Sequence, residues 1–145
     1  EEHLQGFVYS AGLKNVHFLP PVQAWELPGF LKGASLGVVL TEERDLSSRL
    51  SLPNKLFEYV AAGIPVLASG LPEISRLVEE YGIGLLTVPG DPGSVKAALE
   101  EILNGGKKLA EFKKNILRAR EELTWQEEVR RLLNAYSKIK VGNHG

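Results

Sequence analysis

Three short and almost wholly apolar runs, residues 36–40, 64–69 and 84–88, alternate with stretches whose apolar residues recur at helical spacing. Runs of this length, bounded by glycine and proline, read as strands buried on both faces. A fourth run, Val16-His17-Phe18-Leu19, is closed by Pro20-Pro21 and reads the same way. Strand–helix–strand repeated in this order predicts right-handed crossovers and parallel pairing. The expected fold class is therefore α/β, a Rossmann-like parallel sheet with helices on both faces. Ligands in such folds bind beyond the carboxyl ends of the strands. Four loops should share that rim, at residues 20–22, the Thr41 loop, 69–73 and Pro89.

Helix boundaries are legible from their caps. Residues 25–34 are helix-like, although Pro28 and Gly29 interrupt them. Pro53 should open a helix that Gly63 stops at Ala62, with Pro65 just beyond. Pro72 opens another, which ends near Tyr81 and Gly82. Asp91-Pro92 is a cap followed by a first-turn proline, for a helix over residues 92–103. Asn104-Gly105-Gly106 breaks it, and a charged helix covers residues 107–123. Thr124 with Glu127 makes a capping box for a last helix over residues 125–138, with Val129, Leu132, Leu133 and Tyr136 on one face. The tail from Lys140 onward is expected to fray. Residues 41–51 read as a polar loop.

Bulk properties narrow the function classes. The 145 residues fit one domain. A net charge of −1 creates no field that would draw the chain to nucleic acid. No apolar run approaches the roughly 20 residues that span a bilayer, and the first residues do not read as a signal peptide. The absence of cysteine excludes disulfide and thiolate chemistry and suits a cytoplasmic setting. The absence of methionine suggests a piece of a longer chain.

The segment with the most chemistry is Ser51-Leu52-Pro53-Asn54-Lys55-Leu56-Phe57-Glu58-Tyr59. With Pro53 at the first helical position, Leu52 becomes the cap residue and offers no side-chain acceptor. The first amides then stay open unless Ser51 reaches them. Open amides at the positive end of a helix bind anions such as phosphate, and Lys55 adds a mobile cation. Glu58 lies four residues after Asn54, one turn deeper on the same face. Its carboxylate would repel phosphate but can accept from two sugar hydroxyls. That set suits a phosphorylated nucleoside, with diphosphate at the tip and ribose at the carboxylate. A solvated Lys55–Glu58 ion pair is the alternative reading.

The segment from Leu52 to Val66, with Leu67-Ala68-Ser69 and Leu71-Pro72-Glu73, resembles the carboxy-terminal domain of retaining glycosyltransferases of the GT-B architecture, family 4 or group 1 type. Asn15-Val16-His17-Phe18-Leu19-Pro20, Tyr81-Gly82-Ile83-Gly84, Pro89-Gly90-Asp91-Pro92 and Thr124-Trp125 resemble further parts of it in the same order. The resemblance implies a donor-binding domain, residues 1–145, of an enzyme that moves a sugar from a nucleoside-diphosphate sugar to an acceptor hydroxyl with retention, in glycan or polysaccharide synthesis. It implies that Glu58 holds the donor ribose. Asn54, Lys55 and the amides around Leu52 and Pro53 would face the donor diphosphate or sugar. Pro21 and Val22 would flank the base through their backbone. The first of the family's two spaced glutamates would fall at Leu50, which accepts nothing. Glu43 and Asp45 are the nearby substitutes.

The resemblance further implies no cofactor and no metal, the nucleotide-sugar being a substrate. It implies an acceptor-binding amino-terminal domain or partner chain beyond this one, without which these residues transfer no sugar, and a cytoplasmic, membrane-peripheral enzyme. No residue here is assigned as catalytic. A non-catalytic donor-binding subunit of a split glycosyltransferase and a nucleotide-sugar epimerase of the same architecture are the rival readings. His3, His17 and His144 lack metal-ligand spacing. Trp25 and Trp125 read as packing anchors rather than stacking platforms, and Glu73 as a loop cap or a ligand neighbour.

Overall fold

A computed structural model describes residues 2–141, and the side chains of residues 3–138. Its sheet has three parallel strands in the order β1 (Gly37–Val39), β2 (Val66–Ser69) and β3 (Gly84–Thr87). Gly37 pairs with Val66, and Val66 in turn with Gly84. Every residue of β2 is buried, as a central strand covered on both faces requires.

Side-chain alternation divides the core in two. Val66 and Ala68 of β2 face a cluster built on Leu56 and Val60 of α4 (Asn54–Ala62), Ile74, Leu77 and Val78 of α5 (Pro72–Tyr81), and Ile116 and Ala119 of α7 (Gly106–Glu122). Leu67, between them, faces the opposite layer with Ala98 and Ile102 of α6 (Pro92–Asn104). The helices therefore lie on both faces, as expected. Gly63 and Gly82 end α4 and α5 at φ 75° and 59°, where a side chain would be strained. Asp91 caps α6 through the Gly93 and Ser94 amides, at 2.9 and 3.1 Å.

Several expectations are corrected. Residues 16–19 form no strand; Val16, Phe18 and Leu19 stand 40–60% exposed, so the apolar run lacks the cover that would bury it. The helix expected over residues 25–34 shrinks to α2 (Leu27–Leu31). The polar loop contains a short helix, α3 (Leu46–Leu50), nucleated by Asp45 and Ser48 in a reciprocal capping box. The cap of α4 is Pro53 rather than Leu52, because Pro53 keeps an extended ψ of 139°.

The first helix, α1 (Glu2–Ser10), exposes Leu4, Phe7 and Tyr9. The last, α8 (Trp125–Val141), runs past residue 138, and the frayed tail expected from Lys140 falls outside the described residues from position 142 on. Thr124 Oγ1 accepts the Glu127 amide at 3.2 Å, but the Glu127 carboxylate turns to Arg130, so only half of the expected box is made. Leu132, Leu133 and Tyr136 are exposed on α8. Neither tryptophan is a packing anchor: Trp25 and Trp125 are each 78% exposed. No helix among the described residues is long and apolar enough to cross a membrane.

Candidate functional site

The helix α4 sets the geometry. Leu56 and Val60 are 0% and 1% exposed and fix the face turned to the sheet. Glu58 lies two residues from each, hence about 200° around the helix. It faces outward, half-buried, rather than toward the strands. The α4 tip stays open: Asn54 and Lys55 are exposed, and Pro53 makes no side-chain cap bond. The first interior turn bond runs from the Leu56 amide to Pro53 O at 3.0 Å, and among the described residues nothing accepts from the Asn54 and Lys55 amides. Ser51 does not reach them, because its hydroxyl turns back to Ser48 O at 3.4 Å. Among the described residues no ion pair joins Lys55 to Glu58.

Glu58 lines a recess of about 550 Å³ with Ala24, Leu27, Phe57, Arg120 and Trp125. The wall comes from three separated segments, α2, α4 and the α7–α8 junction. Asn54 and Leu52 line a neighbouring recess of about 630 Å³, which shares Phe57, Leu123, Thr124 and Trp125 with the first. The structure thus groups Glu58, Asn54 and Leu52 around one junction. Pro53, Lys55, Pro21 and Val22 line neither recess, although Ala24 lies two positions after Val22 in the chain.

A third recess, of about 340 Å³, sits at the carboxyl ends of the strands. Thr41, Glu42, Ser69, Val88 and Asp91 line it. The Thr41 amide donates to Ser69 Oγ at 2.9 Å and ties the first two strand ends together. None of the expected site residues lines it.

The suggested substitutes for a glutamate at position 50 are already engaged. Asp45 Oδ1 accepts the Ser48 amide at 2.7 Å, and that bond, with the Ser48 hydroxyl, holds its carboxyl below the usual range. Glu43 pairs with Arg49 at 3.6 Å. Leu50 is 53% exposed. Glu73 pairs with Arg76 at 2.9 Å in the first turn of α5. Among the described residues no three acidic or histidine side chains converge as metal ligands. Sequence reasoning missed Arg120 and Trp125 as neighbours of Glu58. They lie more than 60 positions away, and only the Thr124-Trp125 pair carried a local signal.

Comparison with known proteins points one way. The family described as Glycosyl transferases group 1 matches residues 1–105. TuaH of Bacillus subtilis (strain 168), a glycosyltransferase provisionally named for teichuronic acid biosynthesis, is 31% identical over 112 residues. That match covers 75% of this chain but 28% of TuaH, so the chain spans little more than a quarter of its relative. Sucrose-phosphate synthase from Thermosynechococcus elongatus superposes with a TM-score of 0.75 at 21% identity, over 98% of this chain and 35% of that one. At that identity the likeness speaks to the fold.

Proposed function

The chain belongs to the group 1 glycosyl transferases, and on that premise we propose that it is the donor-binding part of an enzyme that transfers a sugar from a nucleoside diphosphate to an acceptor hydroxyl with retention. The carrying observation is the pairing of an uncapped helix tip, bearing Lys55, with Glu58 one turn deeper in a walled recess. The free amides and Lys55 meet the diphosphate, and the Glu58 carboxylate accepts from the ribose diol. Pro21 and Val22, three and two positions before Ala24 of the recess wall, flank the base through their backbone.

Binding at one fixed place supplies orientation, and the amides and Lys55 offset charge developing on the leaving diphosphate. The acceptor is held by a further domain or partner chain. The enzyme works in the cytoplasm, at the membrane periphery, in glycan or polysaccharide synthesis; the name of TuaH, which refers to teichuronic acid biosynthesis, supports the last of these.

Calorimetric titration of UDP-, GDP- and ADP-sugars into the full-length protein, with a Glu58→Ala variant beside it, tests the reading. One donor class binds, and the variant weakens that binding while keeping its melting temperature. Equal affinity in both proteins removes Glu58 from the site.

A further inference from the structure

The recess that holds Glu58 has an unusual wall. Trp125 is 78% exposed, yet it borders the recess directly, as do the half-buried Phe57 and Arg120. The backbone that carries it is held in place. It is the first residue of α8, and Thr124 immediately before it caps that helix through the Glu127 amide at 3.2 Å. Leu123 closes the turn through its amide to Ala119 O at 2.8 Å. A large aromatic ring that lines the same recess as a carboxylate offers an apolar face to a flat partner.

Trp25 makes the contrast. It is equally exposed but borders none of the three recesses. Exposure alone therefore does not single out Trp125; its convergence with Glu58 and Arg120 does.

We propose that Trp125 is the stacking platform for the base of the bound nucleotide, on the wall of the recess in which Glu58 holds the ribose. The inference rests on the donor-site reading above and adds a residue to it. A ribose diol anchored at Glu58 leaves the base within the same recess, where the aromatic rings of Trp125 and Phe57 provide its apolar surface. Arg120 contributes a positive charge on that wall, which suits a ligand carrying phosphate. Stacking on an indole tolerates any base, because every base has a π-face. This wall would therefore set affinity for nucleotides as a class, and leave discrimination among bases to the backbone near Pro21 and Val22.

The test is calorimetry on the full-length protein with UDP, GDP and ADP, and with ribose 5-phosphate as a probe that lacks a base. Trp125→Ala should raise Kd for the bound nucleoside diphosphate about tenfold or more. Trp125→Phe should recover most of the loss, and Trp25→Ala should change nothing. Ribose 5-phosphate should bind equally to wild type and Trp125→Ala, since it offers nothing to stack. Circular dichroism of each variant confirms that the fold persists, as the exposure of the ring predicts.

If Trp125→Ala leaves nucleotide affinity intact while Glu58→Ala weakens it, the stacking role is overturned and the donor site stands. If Trp125→Ala weakens ribose 5-phosphate and nucleotide equally, the ring supports the recess rather than the base, and the proposal again fails. If Glu58→Ala has no effect on any nucleoside diphosphate, the donor-site reading itself falls.

Discussion

The ring of Tyr59 in α4 lies directly over the backbone of Gly37 in β1, in the space that a β-carbon would occupy. That contact presses the helix carrying Glu58 onto the first strand, so the orientation of the site depends on a glycine outside it. Gly37→Ala forces the ring or the helix to shift. Overpacking of this kind costs about 1–3 kcal/mol. A lower melting temperature together with weaker nucleotide binding is the expected result. A fully stable variant with intact binding would show that α4 does not rely on this contact.

Tyr81 ties three helices together. Its hydroxyl donates to Glu122 Oε2 at 3.1 Å, Arg131 of α8 faces the phenol oxygen, and Arg118 lies 5.7 Å from the ring centre. Tyr81→Phe should cost about 0.5–1.5 kcal/mol in urea unfolding, the usual net worth of one hydrogen bond. Burial, and then the Glu122 carboxylate, push the phenol pKa above its ordinary value of 10.0. A raised folded pKa means that this contribution is complete below the unfolded pKa and is lost as pH rises through the folded one. The stability gap between wild type and Tyr81→Phe should therefore close on the alkaline side.

The Asp45 cap responds in the opposite direction. Its carboxyl is lowered from 3.8, first by the Ser48 amide bond and then by the Ser48 hydroxyl. A depressed folded pKa gives stability that is present above the unfolded pKa and fades as pH falls through the folded value. Once corrected for the intrinsic pH dependence of exchange, protection of the Ser48 amide should drop in that acidic window. Asp45→Ala should lose that protection at neutral pH as well, with α6 protection unchanged. Equal protection in both proteins would show that α3 stands without its cap.

The legible parts of the fold share one property: their signals are local. Gly63 and Gly82 end helices because only glycine adopts their φ without strain, and Asp91-Pro92 announces α6 within two residues. The apolar runs 64–69 and 84–88 contain β2 and β3 nearly to the residue. Residues 16–19 carried the same apolar signal, but a strand also needs a neighbour and cover, and local sequence reports neither.

The site divides similarly. The uncapped tip and the spacing of Asn54 and Glu58 could be read within one turn of helix. The meeting of Glu58 with Arg120 and Trp125 depends on where α7 and α8 pack, and no periodicity encodes it.

The central claim is that the Glu58 carboxylate holds a ribose diol. The most direct measurement compares a nucleoside diphosphate with its 2′,3′-dideoxy form, against wild type and Glu58→Ala in the full-length protein. A hydrogen bond to a charged group is worth about 1.5–3 kcal/mol, so the substitution should weaken the ribonucleotide at least about tenfold. With the dideoxy compound the two proteins should bind alike. An equal loss with both ligands would show that Glu58 does not touch the sugar, and would contradict the account.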